Sequence, residues 1–184
     1  MGKPVYLMDS NSFIEPFNNY YSLEYVPGFW DALIREHQRG NIFSINAIKN
    51  EVTKKEDGLK QWLESPNLPK SFFLDEDEPA LKTYESIIAW TRSHSLFTPQ
   101  NQQLFASGAD GILVAYAKVH GMVVVTQEKP AASNTTKVKI PNVCEQFDVQ
   151  HVNVVEMLQA LNVRFILDGP SRHDLFSASG LDVE

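Results

Sequence analysis

The chain of 184 residues holds a single cysteine, Cys144, and no apolar run that approaches the roughly 18 residues needed to cross a bilayer. One thiol cannot build a disulfide framework or a zinc site of several thiolates, and such scarcity fits a reducing compartment, which predicts the cytosol. The first residues carry no secretory h-region, and "MGKPVY" fails as a myristoylation signal because Tyr6 stands where Ser or Thr is required. The expectation is a protein away from membranes. Positive charge is also short: 16 Lys and Arg against 23 Asp and Glu give a formal charge of −7. That balance disfavours a general polyanion-coating surface and confines any nucleic-acid contact to a local basic groove. G-x-S-x-G, Walker and G-x-G-x-x-G signatures are missing, as are internal repeats and low-complexity tracts.

What is present alternates between short apolar runs and helical periodicity. "PVYLM" and "NIFSI" read as buried strands, and "MVVVT" is apolar without alternation, the mark of a strand covered on both faces. Between them, "PGFWDALIREHQRG" places Phe29, Trp30, Leu33, Ile34 and His37 at helical spacing. "NAIKNEVTKKEDGLKQWLES" is helical but interrupted near Gly58, and "ALKTYESIIAWTRSH" sets Leu81, Tyr84, Ile87 and Ile88 on a buried stripe behind the acids Asp75 to Glu78. Ser107 is positioned to cap a helix from about Ala109 to His120 that Gly121 ends. The aromatic stretch from Phe13 to Val26 follows neither period and reads as a packed loop. "KSFFLD" and "QHVNV" are candidate short strands, and "IPNVCEQF" and "VVEMLQALN" read as helices. These patterns predict one α/β domain over residues 1–167, a parallel sheet between helical layers, with residues 168–184 as a C-terminal tail.

In "VYLMDSNSFI" a buried strand ends on Asp9. Ligands of open parallel sheets bind beyond the carboxyl ends of the strands, near the reversal of strand order, so an acid there is placed for chemistry. Glu51 on the helix after the second strand, Asp110 in the first turn of the regular helix, and Glu128 just past "MVVVT" occupy comparable positions. Carboxylates without thiolate or imidazole partners suit a hard cation, Mg²⁺ or Mn²⁺, that lowers the pKa of a water and neutralises a phosphodiester leaving oxygen. Asn11 and Ser12 leave room for substrate and offer hydrogen bonds to a carboxylate, a water or a phosphate.

These same segments, "YLMDSNSFI", "IKNEVTKK", "GADGILVAYAKVHGMVVVTQEKP" and "KVKIPNVCEQF", resemble the PIN domain superfamily of metal-dependent ribonucleases, the fold of VapC-type toxins. The likeness runs from Val5 to about Phe147, and the aromatic loop before "PGFW" and the "DGLKQW" segment are similar to an uncharacterised bacterial branch of that superfamily. The resemblance implies a three-layer α/β/α sandwich and an acidic pocket holding Mg²⁺ or Mn²⁺. It implies RNA hydrolysis leaving a 5′-phosphate, a toxin role with an antitoxin protein as partner, and a homodimer. By position it assigns the first acid to Asp9, the helix-borne glutamate to Glu51, the central aspartate to Asp110 and the post-strand acid to Glu128. The last site is commonly aspartate, which leaves direct ligation by Glu128 open.

Plainer readings stand beside these. Asp110 suits a helix start electrostatically, Glu51 lies among Lys and Asn as a solvated residue does, and Asp57 reads as a helix-end residue rather than an auxiliary ligand. The aromatics Phe13, Phe17, Tyr20, Tyr21 and Tyr25 read as packing, with base stacking as the alternative. Lys129, Lys137 and Lys139 fall in a segment free of acids between Glu128 and Glu145, and are candidates for phosphate contacts. Two rivals remain: a catalytically inert nucleic-acid or protein interaction module, for which Glu128 leaves room, and an aspartate phosphotransferase or phosphatase. The latter lacks its second acid in "MDSN".

Overall fold

The computed structural model describes residues 3–132 and 134–166. Its elements in chain order are β1 (Tyr6–Met8), α1 (Asn11–Glu15), a π-helical turn (Pro16–Tyr20), α2 (Pro27–Gln38), β2 (Ile42–Ile45), α3 (Asn46–Val52), α4 (Gly58–Leu63), β3 (Phe73–Leu74), α5 (Glu78–Ser93), α6 (Pro99–Ser107), α7 (Asp110–His120), β4 (Val123–Val125), α8 (Ile140–Gln146), β5 (His151–Val152) and α9 (Val154–Ala160). The expected tail from Asp168 onward lies outside the described residues.

The five strands form one sheet in the order β3-β2-β1-β4-β5, and every pairing is parallel. Strand order therefore reverses at β1. From there the chain winds outward through β2 and β3, returns across α5, α6 and α7, and resumes on the other side with β4 and β5. Right-handed crossovers in opposite directions drive their helices to opposite faces, which yields an α/β/α sandwich. α5 packs along α7 and α7 against α8, while α2 and α3 pack on β2. The apolar runs that lack alternation are the ones enclosed: Tyr6, Leu7 and Met8 in β1 and Val123, Val124 and Val125 in β4 are all buried. No helix among the described residues is long and apolar enough to cross a membrane.

Local chemistry explains the element boundaries. Asp57 is the N-cap of α4, accepting from the Leu59 and Lys60 N–H groups at 3.0 and 3.2 Å. Asp77 caps α5 through Ala80 N–H, and Glu76 accepts from Ala47 N–H at the start of α3, so the acid run serves two helix starts. Gly121 ends α7 in the left-handed region at φ 64°. Gly111 lets α5 and α7 approach: a Cβ there would sit 2.8 Å from Tyr84 Cε2.

Three sequence expectations are corrected. The stretch from Phe13 to Val26 is not a loop at first: α1 runs through Pro16 into the π-helical turn, closed by an i to i+5 bond from Tyr21 N–H to Pro16 O at 2.7 Å. Ser107 does not cap α7. It ends α6, a helix with its own Thr98 cap, and its hydroxyl donates back to Leu104 O. Leu81 is 48% exposed rather than buried, because Ala80, Ile87, Ile88 and Thr91 carry the inner face of α5.

Candidate active site

Asp9 leaves β1 as a carboxylate with no exposed surface. Its N–H donates to Val125 O at 3.0 Å, carrying the β1–β4 pairing one residue further. The side chain then turns between two donors: Oδ1 accepts from Ser12 N–H at 2.7 Å and Oδ2 from Thr126 Oγ1 at 2.6 Å. Ser12 Oγ donates to Val125 O at 2.8 Å, which binds the start of α1 to the end of β4. Burial pushes the Asp9 carboxyl up to about 6; the hydrogen bonds from Ser12 and Thr126 oppose this, and the negative charge of Glu128 adds to it.

Asp110 opens α7 half-buried. Burial and then the charges of Glu128, Glu51 and Asp9 push it up to about 7, while Lys139 pulls the other way. Three acids from three other segments thus act on one carboxyl group. Glu51, on the last turn of α3, accepts a 3.3 Å hydrogen bond from Ala109 N–H, the residue before α7. Glu128 follows β4 and is held by the start of α8: Oε2 accepts from Ile140 N–H at 2.8 Å and Oε1 is ion-paired with Lys139 Nζ. Its own N–H donates to Thr126 Oγ1 at 3.1 Å.

The charges of Glu128, Glu51 and Asp9 all reach Asp110, and the hydrogen bonds of Thr126 and Ala109 N–H link these segments, so the four acids named from the sequence lie near one another at the carboxyl end of the sheet, where strand order reverses. Asp9, Glu51 and Glu128 are each held by donors of the protein. Among the described residues no three His, Cys, Asp or Glu side chains stand in a ready-made ligating group. The donor chemistry nonetheless fits a hard divalent cation. The four acids offer only oxygen, carboxylate oxygens already bonded once keep a second lone pair, and the repulsion that adds to burial in lifting Asp110 is what a cation relieves.

The remaining candidates divide. Ser12 is buried in the Asp9 network and Asn11 is half-buried beside it. Lys129 and Lys137 are exposed. Lys139 is engaged with Glu128 rather than standing free for phosphate. Asp57 is occupied as a helix cap. Sequence reasoning missed Thr126, which bridges Asp9 and Glu128; the signal was a hydroxyl ending an apolar run, beside the strand that ends in Asp9.

Fold and site together define a PIN-like α/β protein with an acidic cluster at the switch point of its sheet. The model of the family described as "Domain of unknown function (DUF4411)" matches residues 6–165, and the chain belongs to that family. No curated protein sequence matches it. Among solved structures, the crystal structure of FitAcB from Neisseria gonorrhoeae is similar, with a TM-score of 0.53 and 23% identity, over 81% of this chain and 97% of that one. At that identity the likeness speaks for the fold.

Proposed function

We propose that the chain is a divalent-cation-dependent endoribonuclease, a hydrolase of RNA phosphodiesters, formed by residues 1–167 as one domain. The observation that carries this reading is the convergence of Asp9, Glu51, Asp110 and Glu128 from four segments at the ligand-binding edge of the sheet, where Thr126 ties Asp9 to Glu128, Glu51 bonds the residue before Asp110, and burial together with the three neighbouring charges raises Asp110. A fold gains nothing in stability from such crowding, and perturbed carboxyls in a cleft are a mark of function.

Asp9, Asp110 and Glu51 are the groups to hold Mg²⁺ or Mn²⁺. Such a cation, when bound, neutralises charge on the phosphate and eases deprotonation of the attacking water. Ser12 and Thr126 fix the orientation of the Asp9 carboxylate. Glu128, steadied by Lys139 and Ile140 N–H, orients the water. Lys129 and Lys137 contact RNA phosphates. The toxin role, an antitoxin partner, a homodimer and a cytoplasmic site of action rest on the resemblance to VapC-type toxins.

A second reading has one observation in its favour. Both Glu128 oxygens are taken by Lys139 and Ile140, the arrangement expected of an inert interaction module in which the fourth acid has become structural. Cleavage of mixed RNA in Mn²⁺, Mg²⁺ or EDTA, run with the parent, Asp9→Asn and Asp110→Asn, separates the two. The ribonuclease reading expects metal-dependent cutting lost in both variants. Parent protein that cuts nothing while still binding RNA supports the inert module.

A further inference from the structure

A groove of about 970 Å³ lies between the π-helical turn and the ends of β4 and β5. Thr126 and Glu128 line it, so it borders the carboxylate cluster on the Glu128 side. Tyr20 and Tyr21 line it as well, and the fold treats these neighbours differently. Tyr21 stacks on Phe29, with centroids 4.5 Å apart and planes 15° apart, whereas Tyr20 is 66% exposed. The π-helical winding changes the rotation per residue at this point, and such turns concentrate at functional sites. Lys129 lines the same groove, exposed and without an ion pair among the described residues.

We infer that this groove is a nucleotide subsite for unpaired RNA, in which the base beside the scissile phosphate stacks on Tyr20 and the next phosphate meets Lys129. The inference rests on the ribonuclease reading of the adjoining carboxylates. An exposed aromatic face next to a cation is the pairing that binds single strands, since every base offers a π-face and every linkage a charge. A base held in a duplex cannot reach such a ring. The volume is at the upper end of the roughly 300–1,000 Å³ of small-molecule sites, enough for a nucleotide with its water. Glu15 and Glu156 also line the groove. Glu156 is committed to the capping box of α9, and the two charges bias the phosphates towards the Lys129 side.

The test is fluorescence anisotropy of a labelled unpaired 12-nucleotide RNA in EDTA, where cleavage is silent, with parent, Tyr20→Ala, Tyr20→Phe and Lys129→Ala. Tyr20→Ala is expected to weaken binding about 5- to 100-fold with unchanged melting temperature, and Tyr20→Phe to retain parental affinity. Lys129→Ala is expected to weaken binding and reduce its salt slope by about 0.7. On the same oligomer with its bases removed, Tyr20→Ala should cost nothing further. Equal affinity of parent and Tyr20→Ala overturns the subsite, as does a parent that binds no RNA or prefers a duplex. Metal-dependent cleavage by the parent, lost in Asp9→Asn, is scored separately, so the subsite can fail while the ribonuclease reading stands, and the reverse.

Discussion

Thr126 Oγ1 donates to Asp9 Oδ2 at 2.6 Å across 117 residues of chain, and the same oxygen accepts from Glu128 N–H at 3.1 Å. One hydroxyl thus holds two candidate acids from adjacent parallel strands in register. Thr126→Val keeps the shape but leaves a buried carboxylate short of a donor and an amide short of an acceptor. The expected cost is about 1–3 kcal/mol of stability, read by urea denaturation. The Asp9 carboxyl should also titrate higher than in the parent, read by NMR. A variant as stable as the parent, with Asp9 unmoved, contradicts this role.

The acid cluster makes metal-free stability fall as pH rises. Asp9 and Asp110 are raised in the folded protein to about 6 and about 7, from an ordinary 3.8. The folded state therefore holds their protons more tightly than the unfolded chain. The stabilisation is complete below about pH 3.8 and is lost as pH climbs through 6 and 7. Asp57 and Asp77 are lowered instead, so their contributions change only in the more acidic range. In EDTA the melting temperature should drop between about pH 4.5 and 7.5, and Asp9→Asn should flatten the decline. Saturating Mn²⁺ should restore more at pH 7.5 in the parent than in Asp9→Asn. A flat parental curve would show that neither burial nor repulsion raises these carboxyls in the folded protein.

Lys137 and Lys139 should behave differently although they lie two residues apart. Lys139 neutralises Glu128 and favours ionisation of Asp110, whereas Lys137 is exposed. Lys139→Ala is expected to tighten Mn²⁺ binding, measured by calorimetry, because it frees a carboxylate. Lys137→Ala should leave Mn²⁺ affinity alone and lower the salt slope of RNA binding by about 0.7. Identical effects from the two substitutions would return Lys139 to the phosphate-contact role.

Gly111→Ala tests the packing that positions Asp110. The added methyl would meet Tyr84 Cε2 at 2.8 Å and Phe105 Cε1 at 3.1 Å, and Tyr84 is tethered by its hydroxyl to Ala106 O at 2.8 Å. Overpacking of this kind costs about 1–3 kcal/mol, and chemical denaturation should report it. Stability equal to the parent would mean the Tyr84 ring swings aside freely.

The centre of the sheet was legible because β1 and β4 announce themselves by burial: three apolar residues, then a sudden carboxylate in Asp9 or hydroxyl in Thr126. Asp9, Asp110, Glu51 and Glu128 could be named one by one as acids placed at the ends of elements. Their partners could not. That Thr126 faces Asp9 depends on β4 lying beside β1, a consequence of strand order that no local pattern encodes. The attachment of Lys139 to Glu128 likewise depends on how residues 129–139 fold back to α8. The π-helical turn was read as a loop because Pro16 and two asparagines break helical periodicity, although the backbone closes around them with one wider bond.

All four pairings of the sheet are parallel, so none is made by a hairpin; each waits for a crossover to be completed. The central β1–β4 seam spans the longest wait between its two strands, because β4 leaves the ribosome more than a hundred residues after β1. A growing chain consequently carries Asp9 long before anything holds it in a working geometry. A cell making this protein handles a nascent polypeptide whose proposed cutting centre is assembled only after more than a hundred further residues follow Asp9.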